Sequence, residues 1–448
     1  VTPGFLGSPW PDEHPRTRPV TVLSEDQDAD VVIVGGGISG LATAQQLVAG
    51  TDLRVTLIEA GLVGHGATGN NGGQAVEGSE TGFSETVSMA GQERALQGFR
   101  ELVSARGELE GTLREIGSPS MLTEAVGRLG IADQGMIERW TGDLDARRKA
   151  GMDVGKVRVA EDAPLGLLKD APRTPRAMLA RQMWSKDRRY IACFELKVGL
   201  INTFDLVETL AGHLLSSFPE RLSIFERSPV ELMRFSEEDV TLSCNGHLVL
   251  ADSVVLCTNG YTAPRIEACS PALIRGSVQG VVGYMVGCEG GNGHEGARAY
   301  FPGGENYYYY LARRRYRGGW LTASGGPEGP ITRPYDPGIV YHPGAFERLE
   351  AFLSTTLDGY VGPSGRRWQG LMGYTPTGSR IAGQDPMLPS LYYNMGCNGI
   401  GILSAVAGAK RLAGKMKDED LEPSMFDPEV LSEVIRLKDR GRDWERHP

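Results

Sequence analysis

The feature that most constrains this chain is a glycine turn set between two apolar runs near its start. Val31, Val32, Ile33 and Val34 lead into Gly35, Gly36 and Gly37, and Ile38, Ser39 and Gly40 then open a segment rich in Ala, Leu, Thr and Gln. A second apolar run, Val55, Thr56, Leu57 and Ile58, ends in Glu59 and Ala60. The order predicts a strand, a tight turn, a helix and a second strand that finishes on a carboxylate. Gly35, Gly37 and Gly40 fit G-x-G-x-x-G. The first permits the turn, the second lets the backbone approach a pyrophosphate, and the third lets helix and strand pack closely. The helix start, at Ile38 and Ser39, offers N–H groups and a positive dipole end to phosphates. Glu59, 19 residues after Gly40, is placed to accept hydrogen bonds from a ribose diol. A dinucleotide-binding unit is therefore expected over residues 30–74.

The motif leaves the dinucleotide itself open. Just downstream lies a loop of small residues, Gly64 and His65, then Gly66, Ala67, Thr68, Gly69, Asn70, Asn71, Gly72, Gly73 and Gln74. Such a loop lets a second backbone segment lie against a flat ligand, which a nicotinamide enzyme does not need there. The alternative is an ordinary flexible loop, since glycine is the default turn residue.

Composition narrows the partners. A net charge of −10 argues against nucleic acid or an anionic membrane. The 61 glycines follow no G-x-y period, so they read as turns and close approaches. Six cysteines form no C-x-x-C pair and no cluster with histidine, which predicts reduced thiols, no metal and a cytoplasmic protein. No basic stretch followed by an apolar one opens the chain, and no run approaches the ~18 apolar residues of a membrane span.

Taken in order, residues 1–28 read as an N-terminal surface arm, with Phe5 and Trp10 as possible anchors. Residues 29–83 form the first part of the nucleotide domain, and 84–190 a helical and mixed insertion belonging to a substrate lobe. Leu96, Phe99, Leu102, Val103, Leu109, Leu113 and Ile116 recur there at helical spacing. Residues 191–274 return to the nucleotide domain through a helix near 205–215, short strands and a hairpin turn at Asn245 and Gly246. Residues 275–365 predict a second, mostly antiparallel sheet, with a basic turn at Arg313, Arg314 and Arg315. Residues 366–418 complete the nucleotide domain, and 419–448 form a polar C-terminal surface helix. The expected class is α/β, α+β overall: a Rossmann-like domain carrying a second β-sheet substrate domain.

Four blocks together resemble the FAD-dependent D-amino-acid oxidase and glycine oxidase superfamily: residues 31–40 with Glu59, residues 66–74, residues 251–260 and residues 368–402. The loop before Gln74 looks most like the gamma-glutamylputrescine oxidase branch. The resemblance implies FAD as cofactor. It puts residues 66–74 beside the isoalloxazine ring, Val230 near the adenine by its backbone, and Thr258, Asn259 and Gly260 at the cofactor's border. Within the last block it implies cofactor contacts from Gly373, Gly396, Asn398, Gly399, Ile400, Gly401 and Ile402. The helix that follows would aim its positive end at the flavin O2, where a reduced flavin is anionic. Asn70 and Ile400 stand where relatives of the branch often have Arg and His, so the branch's substrate does not transfer with its cofactor.

The chemistry implied is hydride transfer from a carbon beside an amine nitrogen to flavin N5, giving an imine that water hydrolyses. Molecular oxygen is the expected acceptor; the rivals are a dehydrogenase serving a carrier, and a non-catalytic flavin scaffold. Residues 318–326 hold no lysine of the kind oxygen-using members often place near N5. Substrate contacts are expected from one face of a tyrosine strand, Tyr307 and Tyr309 or else Tyr308 and Tyr310 on the opposite face, and from Trp320. Trp368 is a lesser wall candidate, and Arg275 and Arg366 are candidates for holding a carboxylate. The flavin is expected to be held without a covalent bond. No cysteine occurs between Cys288 and Cys397, the position of some relatives' cysteine tether falls at Gly370, and the position of others' histidine tether falls at Asn70.

Overall fold

The computed structural model describes residues 7–164, 168–261, 263–273, 277–290, 293–302, 308–360, 362 and 365–439. Among these, the strands assemble into a nine-stranded and a ten-stranded sheet. The first is built around Gln27–Val34, whose last four residues are buried. A strand enclosed on both faces needs an unbroken apolar run rather than an alternating one, and 31–34 supplies it. Val55–Ile58 and His247–Leu256 lie parallel on its two sides, with Val31 opposite both Val55 and Ser253. Leu222–Phe225 and Leu391–Met395 extend the parallel run outward.

The first half of His247–Leu256 turns back antiparallel on Val240–Cys244. Asn245 and Gly246 between them both adopt positive φ, 52° and 81°, as the two-residue hairpin read from the sequence requires. Helix Ile38–Gly50 rises from the glycine turn and packs on helix Ile402–Met416. Asn394 ties the two together, donating to Ser39 O (3.4 Å), Thr43 Oγ1 (3.1 Å) and Ala405 O (3.1 Å).

The second sheet runs Arg366–Tyr374, Gln279–Glu289, Gly319–Pro330, Tyr309–Tyr316, Gly296–Phe301, Leu122–Ile131, Ala192–Ile201, Lys156–Ala160, Arg173–Thr174. Most pairs are antiparallel; Gly296–Phe301 with Leu122–Ile131 and Lys156–Ala160 with Arg173–Thr174 are parallel. Helix Gly344–Thr356 covers one face through Phe346, Leu349 and Phe352, which are buried among Tyr284, Tyr300 and Leu311.

Several sequence expectations change here. Ala192–Ile201 and Arg366–Tyr374, read as parts of the nucleotide domain, pair in the second sheet. A strand's sheet is decided by its partners, which local pattern does not encode. Arg313, Arg314 and Arg315 are not a turn but part of Tyr309–Tyr316, and the turn comes at Arg317 and Gly318, both at positive φ. Three successive guanidiniums are accommodated in a strand by stacking on indoles of different elements. Arg313 lies 4.7 Å from the Trp184 ring centroid, Arg314 5.4 Å from Trp10 and Arg315 4.1 Å from Trp320. Helix Pro428–Asp439 is not a purely surface helix, because Val430, Leu431 and Val434 are buried. The arm packs through Trp10, which is fully buried, while Phe5 lies outside the described residues.

Gln74–Val76 and Ala192–Ile201 pair in the second sheet close to the glycine loop, and Arg366–Tyr374 runs from that sheet towards Ile381–Gln384 of the first. These crossings enclose one large cavity between the sheets.

Candidate active site

The cavity measures about 2350 Å³, beyond the few hundred to ~1,000 Å³ of an ordinary small-ligand pocket. Its floor at one end is the glycine turn. Gly35 sits at φ 115°, and a Cβ there would lie 2.8 Å from Cys257 O. A Cβ on Gly40 would fall 1.9 Å from Gly35 O, so only glycine lets this helix leave the strand as it does. Glu59 closes the turn from the side, accepting from Gly36 N and Gly61 N at 2.7 Å each. Burial raises its carboxyl pKa, against the pull of those two donors. Ile38 N donates to Thr68 Oγ1 at 3.0 Å, which brings the second glycine loop over the helix start.

That loop is pinned from every side. Asn71 Oδ1 accepts from Gly73 N (2.8 Å), and Asn71 Nδ2 donates to Thr203 Oγ1 (2.9 Å). Two buried indoles hold its carbonyls: Trp10 Nε1 donates to Asn71 O at 2.8 Å and Trp368 Nε1 to Asn70 O at 3.1 Å. Asn70 Nδ2 folds back on Gly66 O at 2.8 Å. The result is a fixed wall, not the flexible loop of the alternative reading.

A third wall comes from the turn before helix Ile402–Met416. Cys397 N donates to Asn259 Oδ1 (2.9 Å), Asn398 N to Gly373 O (2.9 Å) and Thr375 N to Asn398 Oδ1 (2.8 Å). Gly260 and Gly373 meet back to back, a Cβ on the first falling 2.0 Å from Met372 O.

Beyond this turn the cavity wall becomes tyrosine and glutamate. Tyr308, Tyr310, Tyr374, Glu80 and Glu328 all line it. Tyr374 OH donates to Glu328 Oε2 at 3.0 Å. A Cβ on Gly399 would lie 2.9 Å from Tyr374 OH and 3.5 Å from Glu80 Oε2, so both groups converge on that glycine. Burial raises the Glu328 pKa. The charge of Glu80, with burial, pushes Tyr308 well above the ordinary phenol value, and burial with Glu328 does the same to Tyr310. These phenols stay protonated.

A family model described as DAO, FAD dependent oxidoreductase, matches residues 30–415. The chain belongs to the DAO family of FAD-dependent oxidoreductases. A probable oxidoreductase, OrdL, of Rhizobium meliloti (strain 1021) is 37% identical over 117 residues, 26% of this chain and 26% of that protein. Gamma-glutamylputrescine oxidoreductase of Escherichia coli (strain K12) is 48% identical over 62 residues, 14% of each. The aligned stretches thus span about a quarter or less of these relatives. Glycine oxidase from Geobacillus kaustophilus shares the fold, with a TM-score of 0.65 at 17% identity over 89% of this chain and 98% of that one.

The residues fit the cofactor of the DAO family. The glycine turn and loop leave backbone exposed where side chains would fill the cavity. Thr258 Oγ1 and Gln74 Nε2, buried at its wall, have no hydrogen-bond partner among the described residues. Buried polar atoms are rarely left so unless a ligand or a water meets them.

Of the sequence candidates for the cofactor, Gly35, Gly37, Ile38, Ser39, Glu59 and Ala60 line the cavity, as do Gly66, Ala67, Thr68, Asn71, Gly72, Gly73 and Gln74. Val230, Thr258, Asn259, Gly399, Ile400, Gly401 and Ile402 do so too. Gly40, Gly260, Gly373, Gly396 and Asn398 stand behind that wall and shape it by close packing and hydrogen bonds.

The substrate candidates fare differently. Tyr307 and Arg275 lie outside the described residues. Tyr309 points into the core, where its ring stacks on Phe352 at 3.8 Å. Trp320 stacks under Arg315, away from the cavity. Arg366 is engaged by Asp12 (2.5 Å) and Glu289 (3.2 Å). The opposite strand face, Tyr308 and Tyr310, is the one that meets the cavity. Sequence reading missed Glu80, Glu328 and Tyr374. The available signal was a lone acid among small residues, Glu328 between Pro327 and Gly329 in a strand and Glu80 between Ser79 and Thr81 in a loop.

Proposed function

We propose that this oxidoreductase oxidises the C–N bond of a cationic amine, with FAD held non-covalently and molecular oxygen as the acceptor. The observation that carries the reading is the pair of carboxylates, Glu80 and Glu328, converging with three tyrosines at the end of the cavity beyond the glycine turns. Such a surface attracts an ammonium and repels a carboxylate. Of the two arginines expected to hold a carboxylate, Arg366 is committed to Asp12 and Glu289, and Arg275 lies outside the described residues. The chemistry FAD supplies when bound is acceptance of a hydride from the carbon beside nitrogen, leaving an imine that water converts to a carbonyl.

The residues prepare the amine for that loss. An ammonium must shed a proton before its lone pair can assist C–H cleavage. Glu328, raised in pKa by burial and held by Tyr374, is suited to receive that proton on a carboxylate oxygen. Tyr308 and Tyr310 supply ring walls and hydroxyl donors, and the pinned loops on either side limit water. Non-covalent attachment is supported by Asn70 and Gly370, which stand at the two tether positions and carry no nucleophile.

Anaerobic bleaching of the bound flavin by a panel of monoamines, diamines and amino acids tests the substrate class. Amines are expected to bleach it and zwitterionic amino acids to leave it yellow. Rapid bleaching by amino acids, undiminished in Glu328→Gln, would sink the assignment. Admitting air then tests the acceptor, since hydrogen peroxide should appear in step with amine consumed. Precipitation with acid should release yellow flavin to the supernatant; colour retained in the pellet would refute non-covalent binding.

A further inference from the structure

Arg380 is a buried cation that neither the amine chemistry nor the family's glycine motif uses. It is 4% exposed. Its Nε donates to Ser404 Oγ (3.2 Å), Nη1 to Ser39 Oγ (2.9 Å) and Asn394 Oδ1 (3.0 Å), and Nη2 to Gly401 O (3.2 Å). All four acceptors are neutral. The side chain nevertheless lines the cavity. Its tip lies between the starts of two helices, Ile38–Gly50 through Ser39 and Ile402–Met416 through Gly401. Both helices direct the positive ends of their dipoles to that place. Three sources of positive potential thus converge at the cavity wall, and an ionised group so deeply buried is costly unless an anion meets it. Burial alone depresses the guanidinium pKa.

We propose that Arg380 is the buried counter-charge for the diphosphate of the bound dinucleotide, acting directly and through Ser39. Two anions could answer such a cation: the permanent diphosphate and the reduced flavin ring. Ser39 decides between them. It is the second residue of the helix that springs from Gly35, Gly37 and Gly40, where a dinucleotide's diphosphate belongs. Its Oγ accepts from Nη1, which leaves its own proton to be donated to an anion in the cavity. The guanidinium also ties this helix start to that of Ile402–Met416, so one side chain sets the spacing of both around the ligand. The inference rests on dinucleotide binding by this cavity and not on the amine reading, so either can fail alone.

The test uses the full chain stripped of flavin, with FAD, ADP and adenosine as probes. Arg380→Met keeps most of the stem and removes the charge; Arg380→Lys keeps the charge. Arg380→Met is expected to weaken FAD and ADP in parallel, roughly ten- to a hundredfold, and to leave adenosine unchanged. Arg380→Lys should recover a large part of the loss, with an affinity that falls more steeply with salt than that of Arg380→Met. The midpoint potential of flavin bound to Arg380→Met should match that of the unaltered protein. Unchanged ADP affinity in Arg380→Met overturns the proposal. Equal losses for adenosine and ADP, or for Lys and Met, mark a purely structural residue and overturn it as well. A shifted potential with ADP affinity intact would instead assign the charge to the reduced ring. Should Arg380→Met fail to fold, Arg380→Lys against the unaltered protein carries the same comparison: adenosine and ADP weakened equally would refute the proposal, and ADP binding largely retained with its salt dependence would support it.

Discussion

Replacing Glu226 with glutamine should loosen the N-terminal arm and, through it, the wall of the cofactor cavity. The Glu226 side chain is fully buried. One oxygen accepts from Arg16 Nη1 (2.5 Å) and from Val63 N (2.7 Å), the other pairs with Arg18 Nη1 (2.9 Å) and Arg16 Nη2. Burial works to raise its pKa, but the Arg16 bond, the Val63 N–H and Arg18 outweigh it, bringing the carboxyl from 4.5 to about 2. A depression of that size corresponds to about 3 kcal/mol of folded-state stability. Glu208 lies 3.3 Å from Arg16 and 3.5 Å from Arg18, so both cations keep a partner and the loss in Glu226→Gln should be about 2–3 kcal/mol at pH 7. Because the folded pKa lies below the unfolded one, the contribution is fully present above pH ~4.5 and disappears as pH falls through ~2. The gap between the two proteins should therefore narrow across that window. Denaturation followed by far-ultraviolet dichroism and by release of flavin fluorescence gives the difference at each pH. A gap under ~1 kcal/mol at pH 7, or one that stays constant down to pH 3, would refute the reasoning.

Further outcomes follow from the same contacts. Glu59→Ala should lower FAD affinity by on the order of 1–3 kcal/mol, since ribose hydroxyls and two backbone N–H groups lose their acceptor; equilibrium titration with FAD reads it, and unchanged affinity would remove the assignment. Trp368→Phe deletes the donor to Asn70 O and should cost about 1 kcal/mol, seen as faster flavin loss on dilution with the fold intact. Tyr308→Phe should alter turnover with FAD content unchanged, whereas Tyr309→Phe, in the core against Phe352, should leave turnover alone; steady-state kinetics on the pair would expose a reversed face.

The sequence by itself determined the nucleotide-binding unit because its requirements are local. Gly35 is dictated by its own positive φ, Gly40 by the nearby Gly35 carbonyl, and Asn245 and Gly246 by the φ signs of a two-residue hairpin, while the unbroken apolar run Val31 to Val34 marks the strand. The parity of the tyrosine strand was legible too, since alternation alone separates Tyr308 and Tyr310 from Tyr309. Which face meets the cavity was not, because that depends on helix Gly344–Thr356 covering the other with Phe352. Arg313, Arg314 and Arg315 read as a solvated turn because three adjacent charges normally seek water; in the strand they stack on Trp184 and Trp10, both distant in the chain, and on Trp320 of the neighbouring strand. Glu80, Glu328 and Tyr374 come together for the same reason. Each belongs to a different segment. Tyr374 meets Glu80 beside Gly399 and Glu328 through a hydrogen bond, a convergence that follows from the joining of two sheets and that no spacing along the chain encodes.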